Sequence, residues 1–360
     1  MSSFQVYLPP PAEEIRGGSA QPLLIAQNLK KYFPVRGGIL NRVIAEVKAV
    51  DDVSFEVRKG EVLGVVGESG CGKSTTARLV MQLIAPDEGK LVYDGDPVGH
   101  MRGISVAALR KQVQMVFQDS FASLNPRLTV GDSISYAPRM HGLPRAEADA
   151  RTQRLLREVG LNPTQYMRRY PHELSGGQRQ RVNIARALAL QPKLLILDES
   201  VSALDKSVEA QVLNLLVELK QKFDLTYVFI SHDLNVVEFI SDHVMVMYLG
   251  KVVEAGPVEE IYRNARHPYT RALLKSKPSF DPTKRTREMP LTGDPPSPIN
   301  PPSGCRFRTR CRFAEGVCTS TEPPLLATPD APARYQVACH MFRAGSGHSQ
   351  AIAGASNAAG

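Results

Sequence analysis

The sequence predicts an α/β fold with a mixed, largely parallel sheet, and three observations carry that reading. Short apolar runs bounded by turn residues alternate with helical periodicity, the pattern of strand–crossover–strand units. One run, Glu61-Val62-Leu63-Gly64-Val65-Val66, leads into a glycine-rich loop and a helix; another, Leu194-Leu195-Ile196-Leu197, ends on two carboxylates. After about Ser276 the composition shifts to Pro, Thr, Arg and Ser, so a small appendage follows the main domain.

Taken in order, residues 1–21 hold three consecutive prolines and lack a basic run before an apolar one. They read as a flexible tail and not as a secretory signal. From Pro22 to about Ser54 two strands flank a turn region at Gly37-Gly38, and alternation over Val53–Val57 marks an antiparallel strand. A helix is expected over Thr75–Ile84, a strand at Leu91–Tyr93 closed by Asp94-Gly95, and a short strand at Val113–Phe117. From Thr129 to Gly160 apolar residues such as Leu155, Leu156 and Val159 recur at helical spacing, which reads as a helical insertion. Beyond it come a helix over Gln178–Leu190, the strand at Leu194–Leu197 and an amphipathic helix over Ser207–Lys222. A buried strand at Thr226–Ile230 precedes a hairpin of Val244–Tyr248 and Lys251–Glu254 around Gly250. The expected division is a main domain over 22–275, a helical part within it over about 119–185, an appendage over 276–345, and a disordered Ala/Gly/Ser-rich end over 346–360.

Hydrophobic content of 42% in 360 residues supports a sizeable core. The absence of Trp and the 6% aromatic content argue against a base-stacking surface. The net charge of +8 admits anionic partners, but the bases are interleaved with acids, as on a solvated surface. No stretch approaches the roughly 18 apolar residues needed to span a membrane.

The run Gly67-Glu68-Ser69-Gly70-Cys71-Gly72-Lys73-Ser74-Thr75 fits a phosphate-binding loop at every required position. Gly67 and Gly70 permit backbone angles that a Cβ would forbid, and Gly72 lets the main chain press against a phosphate. Lys73 would reach the β/γ oxygens of a triphosphate, Ser74 would face Mg²⁺, and the following helix N-terminus adds a positive field. Asp198 and Glu199 leave their strand at its C-terminal end, where ligands of open α/β sheets bind. Asp198 would hold Mg²⁺ and Glu199 would polarise the attacking water as general base. Leu174-Ser175-Gly176-Gly177-Gln178 opens a helix with Ser175 as N-cap and bare backbone amides for an anion.

With these motifs in place, the sequence resembles the ATP-binding cassette family from roughly Pro22 to Leu274. The resemblance implies a nucleotide-binding domain with a mixed sheet core, an antiparallel β-subdomain and a helical subdomain. It makes Leu174–Gln178 the family signature, Gln118 the glutamine that links Mg²⁺ and water to a membrane partner, and His232 a γ-phosphate contact. Ser202-Ala203-Leu204-Asp205 corresponds to the loop that carries an aspartate at the ATP interface. The adenine platform falls on Tyr32 or Phe33, with the offset from Asn28-Leu29 favouring Phe33. In this family the signature acts on ATP held by another chain, so a second cassette, here expected to be a homologous partner, is implied. One departure is Ser200, where close relatives carry proline; the acid before it is intact.

Phe117-Gln118-Asp119, Ser123-Leu124-Asn125-Pro126, Tyr170-Pro171-His172-Glu173-Leu174 and His267-Pro268-Tyr269-Thr270 are similar to strings of oligopeptide and dipeptide permease ATPases. That branch implies two membrane-spanning permease subunits, an extracytoplasmic peptide-binding protein, and a place on the cytoplasmic face of the membrane. Nickel, glutathione and murein-peptide systems share these strings, so the cargo stays open. The rival reading is a non-transport cassette ATPase working on nucleic acid or ribosomes. It is disfavoured by the lack of a heptad coiled coil, a tandem cassette or an Arg/Lys-aromatic stripe, so no nucleic-acid partner is expected.

Cys71 lies inside the phosphate loop, and Cys305, Cys311, Cys318 and Cys339 cluster late. Four thiols in a core-poor segment suggest a metal. No CxxC pair is present, and the scattered spacing favours a [4Fe–4S] cluster over structural Zn²⁺ or free thiols. His340 is a less favoured substitute ligand.

Overall fold

The structure is a computed structural model that describes residues 21–37, 41–276, 293–328 and 330–352. The tail read over 1–21 lies, apart from Gln21, outside the described residues.

In chain order the strands are β1 (Pro22–Gly37), β2 (Arg42–Arg58), β3 (Val62–Val66), β4 (Glu88–Tyr93), β5 (Asp96–Pro97) and β6 (Val113–Val116). They continue with β7 (Leu194–Asp198), β8 (Thr226–Ile230), β9 (His243–Tyr248), β10 (Lys251–Pro257), β11 (Leu326–Ala327) and β12 (Gln336–Val337). The helices are α1 (Lys73–Val80), α2 (Val106–Gln112), α3 (Val130–Met140), α4 (Arg145–Glu158), α5 (Pro163–Tyr166) and α6 (Gly176–Leu188). After them come α7 (Lys206–Phe223), α8 (Leu234–Ile240), α9 (Val258–Asn264), α10 (Pro268–Lys275) and α11 (Gly316–Ser320).

The strands form two sheets. One is antiparallel, ordered β2-β1-β4-β5; the other is mixed, ordered β11-β12-β10-β9-β3-β8-β7-β6. β6, β7, β8, β3 and β9 pair in parallel, and every residue of β3, β7 and β8 is buried. Burial on both faces explains their unbroken apolar runs. Period-2 alternation then splits each strand between two cores. Leu63, Val65, Leu194 and Ile196 pack under the antiparallel sheet and α1, whereas Val62, Val66, Leu195 and Leu197 face the helical side.

The helical part expected from sequence is α3 to α6. Thr129 caps α3 by accepting the Asp132 amide, and Ser175 with Gln178 forms a capping box on α6. Val130, Ile134, Leu155, Leu156 and Val182 are fully or nearly fully buried where these helices meet. Helix α1 stops at Val80, short of the expected Ile84, because Gln82 turns left-handed at φ 53 and Leu83 donates back to Arg78.

The appendage differs from expectation. It does not stand apart on a staple of its own but extends the main sheet. β12 pairs with β10 (Glu254↔Val337, Ala255↔Gln336), and Phe307, Tyr335 and Val337 join the helical-side core. At the pairing, the buried Glu254 carboxylate accepts from the Arg266 and His267 amides and from the Tyr335 hydroxyl. The disorder expected from residue 346 onward also fails over 346–352. Ser346 Oγ donates to the His340 carbonyl, the Ile352 amide donates to Met341, and the buried His348 ring bonds the Phe313 carbonyl at 2.9 Å. Small-residue composition hid a histidine anchor; residues 353–360 lie outside the described residues.

Candidate nucleotide site

β3 ends where the glycine loop begins, and α1 starts at Lys73. Lys73 is buried and its Nζ donates to the carbonyls of Gly67 at 2.7 Å and Glu68 at 3.0 Å. The ammonium is thus held within the loop by neutral acceptors. Ser69 and Gly70 are exposed at the loop tip, while Cys71 is buried, its thiol pushed up by desolvation with Lys73 pulling the other way. Thr75 follows on α1, and Thr76 Oγ1 donates to the Gly72 carbonyl at 3.0 Å.

β7 brings its acids to this loop. Ser74 Oγ donates to Asp198 Oδ1 at 2.8 Å. Burial, helped by the Glu199 charge and opposed by the Ser74 bond, holds the Asp198 carboxyl above the usual carboxylate range. Glu199 sits in the left-handed region at φ 47. Its amide donates to Ile230 at 2.9 Å and its carbonyl accepts from Ser202 Oγ at 2.8 Å, so the backbone on both sides fixes this unfavourable conformation. Gln118 Nε2 donates to Glu199 Oε2 at 2.8 Å, and His232 Nδ1 lies 3.5 Å from the same oxygen. Four segments far apart in sequence therefore meet. Gln118 stands with Glu199 here, while Ser74 and Asp198 form the hard-oxygen pair suited to Mg²⁺. Ser200 is buried, and its hydroxyl has no partner among the described residues.

The signature lies elsewhere. Ser175 is exposed, Gln178 Nε2 donates to Tyr166 at 3.0 Å, and a Cβ on Gly177 would fall 2.4 Å from Val208 Cγ1. Gly176 is half-buried beside Leu204, and Asp205 is exposed at the start of α7 with no capping bond. Among the described residues no hydrogen bond joins 175–178 to the phosphate loop. Tyr32 and Phe33 separate clearly. Tyr32 donates its hydroxyl to Asp51 at 2.5 Å, whereas Phe33 keeps 39% exposure on β1.

The ABC transporter family description matches residues 50–202, and the oligopeptide/dipeptide transporter C-terminal region matches residues 253–318. An oligopeptide transport ATP-binding protein of Bacillus subtilis (AppF) is 49% identical over 327 residues, covering 89% of this chain and 98% of that protein. The chain belongs to the ABC transporter family. A glutathione import ATP-binding protein of Pectobacterium atrosepticum (GsiA) is 51% identical over 282 residues, spanning 78% of this chain and 45% of that one. Among solved structures, cbiO1 of Clostridium perfringens, part of the ABC transporter complex cbiONQ, superposes with a TM-score of 0.58 at 27% identity. That likeness covers 68% of this cassette chain and 91% of cbiO1.

In the appendage of this cassette, Cys305, Cys311, Cys318 and Cys339 line one small cavity of about 20 Å³. Burial pushes the Cys305 thiol up to about 11 and Cys339 up to about 12, and it also raises Cys311. Among the described residues no three His, Cys, Asp or Glu side chains are set to hold a metal ion, so neither the iron–sulfur expectation nor its zinc alternative gains support. The premise also weakens, since β12 and Phe307 give the appendage a share of the cassette core. His340 bonds the Thr321 carbonyl at 2.9 Å.

Sequence reasoning missed contacts from α10 and from the appendage to the glycine loop. The Glu68 amide donates to the Tyr269 hydroxyl at 2.9 Å, and Arg310 meets the Glu68 carboxylate at 2.7 and 3.0 Å. Tyr269 sits in the His267-Pro268-Tyr269-Thr270 string; Arg310 carries no local signal.

Proposed function

We propose that this chain is the ATP-hydrolysing subunit of an importer that drives peptides across the cytoplasmic membrane, working from the cytoplasmic face. The observation that carries the reading is the convergence of Gln118, Glu199 and His232 beside the Ser74–Asp198 pair. Lys73 and the loop amides would cradle the phosphates, with Gly67, Gly70 and Gly72 shaping the loop. Mg²⁺ held by Ser74 and Asp198 would neutralise charge on the phosphate oxygens. Glu199 takes the proton of the attacking water, Gln118 orients its carboxylate, and His232 faces the γ-phosphate. Phe33, partly exposed and with the Lys31 ammonium over its ring, would stack on the adenine. Ser175 and Asp205 are exposed at the starts of α6 and α7, in keeping with action on ATP held by a second, homologous cassette. Peptide cargo rests on the named transport of the relatives and on the matched C-terminal region; glutathione is the nearest alternative.

A groove of about 770 Å³ runs from Ser74, Gln118 and Asp198 of this site out to Leu83, Phe117 and Ala137. Its apolar end, at Leu83, Phe117 and Ala137, would seat a helix of one permease subunit, and Gln118 would carry that contact to Glu199. Tagged protein is expected to co-purify with permease subunits and a second cassette. Recovery of ribosomes or DNA without any permease overturns the transporter reading.

A [4Fe–4S] cluster at the four late cysteines is a separate reading, favoured only by their lining one cavity; a cluster spreads its thiolates over several irons. Anaerobically purified protein is then brown, absorbing near ~400 nm, and loses the colour when the four cysteines become serine. Colourless, iron-free protein refutes it.

A further inference from the structure

We infer that Arg310, on the appendage, is a positioning residue for the phosphate loop, acting through Glu68; the inference rests on the ATPase reading above. Glu68 places a carboxylate inside a loop built to receive a polyanion, which is unfavourable unless that charge is met. Arg310 meets it with a forked pair, its Nη1 on Glu68 Oε2 at 2.7 Å and its Nη2 on Oε1 at 3.0 Å. The pair is sheltered, with the Arg310 side chain 6% exposed and Glu68 23%. A bidentate fork fixes both the direction and the position of the carboxylate.

The surroundings make the contact stiff. Arg310 lies about 6 Å over the Tyr248 ring, and Tyr248 packs on Phe307 and Tyr269 at ring distances of 5.4 and 4.6 Å. Tyr269 in turn accepts the Glu68 amide at 2.9 Å, so Glu68 is held at both backbone and side chain by residues far downstream. A second arm leaves the same segment. Arg306 donates to the Leu249 carbonyl and to Asp51, whose amide bonds Gly250, and the Gly250 amide bonds Cys71 of the loop. Both arginines lie between Cys305 and Cys311, which line the thiol cavity. The conformation of this short segment therefore sets the loop from two sides. The appendage is a brace on the ATP site as well as an addition to the sheet edge.

The test uses the full-length protein in its transporter complex and reads nucleotide affinity and turnover separately. Arg310→Gln is expected to raise the KM for ATP about tenfold, with kcat changed less than about twofold, because an unpaired, half-buried carboxylate now opposes the triphosphate. Arg310→Lys, which keeps charge and loses the fork, should fall between. Adding Glu68→Gln to Arg310→Gln should recover most of the lost affinity, since the opposing charge is gone; mere damage to packing would not be rescued this way. If Arg310→Gln fails to fold, the lysine variant with and without Glu68→Gln reads the same coupling. Unchanged KM in folded Arg310 variants, or a double variant worse than either single one, overturns the inference. Failure of the wild-type complex to hydrolyse ATP would instead count against the ATPase reading.

Discussion

Glu199→Gln is expected to stop ATP turnover while leaving ATP binding intact. The substitution keeps the size and shape of the side chain and removes only its ability to accept a proton. Glutamine can still offer its carbonyl oxygen to Gln118, which now donates to Glu199 Oε2 at 2.8 Å. The backbone is equally tolerant, because both residues carry the same Cβ into the φ 47 conformation held by Ile230 and Ser202. Lys73, Ser74 and Asp198, which would hold the phosphates and Mg²⁺, make their contacts without help from Glu199. Loss of a general base costs about 10²–10⁴ in rate, so phosphate release should fall by at least ~100-fold. Equilibrium nucleotide binding should stay within about threefold of wild type, the size of a minor contact change. Release at the wild-type rate would remove Glu199 from the role of base. Lost binding would mean that the residue holds the loop together and not merely the water.

The nucleotide motifs were legible because each is local. β3 with its loop, β7 with its two acids, and Ser175 with its glycines are contiguous runs whose residue types are dictated by neighbours a few positions away. Family resemblance assigns Gln118 and His232 to the ATP site but does not pair them with Glu199, since nothing in the sequence places a glutamine 81 positions upstream on that carboxylate. The appendage was read poorly for a related reason. Its β12 is two residues long and takes its partner from β10, so no periodic pattern could announce it. Its low apolar content pointed to a metal staple because a segment alone would need one, whereas Phe307, Tyr335 and Val337 borrow the cassette core. The Arg310–Glu68 pair spans 242 positions, and a lone arginine in a basic, Pro-rich segment reads as solvated surface. Short helices such as α8, capped by Asp233, leave no mark in the sequence because seven residues give too few turns for periodicity to show.

Gly72→Ala is the second substitution with a large expected effect, and its cause differs from the one the sequence suggested. From sequence, Gly72 lets the main chain press on a phosphate. In the structure a Cβ there would lie 2.2 Å from the backbone carbonyl oxygen of Ala49 on β2, and the residue holds φ 106. The obstacle cannot move aside cheaply. Val50 is fully buried, the Asp51 amide is tied to Gly250 at 2.8 Å, and the Gly250 amide returns to Cys71 at 2.9 Å. The loop itself must therefore shift, taking Lys73 and the first turn of α1 with it. Left-handed strain costs about 1–2 kcal/mol and a forced core shift about 1–3 kcal/mol, so a loss of about 2–5 kcal/mol is expected. Nucleotide affinity should fall by at least ~100-fold, the equivalent of about 2.7 kcal/mol at the site. Gly70→Ala supplies the control within the same loop. It shares a positive φ, 77, but has nothing within 4 Å of the new methyl, so only the conformational term of about 1 kcal/mol applies. Thermal unfolding and nucleotide titration of the two variants should rank Gly72→Ala well below Gly70→Ala in both. Equal losses would show that φ alone governs these glycines, and that the close approach of β2 to the phosphate loop contributes nothing to its shape.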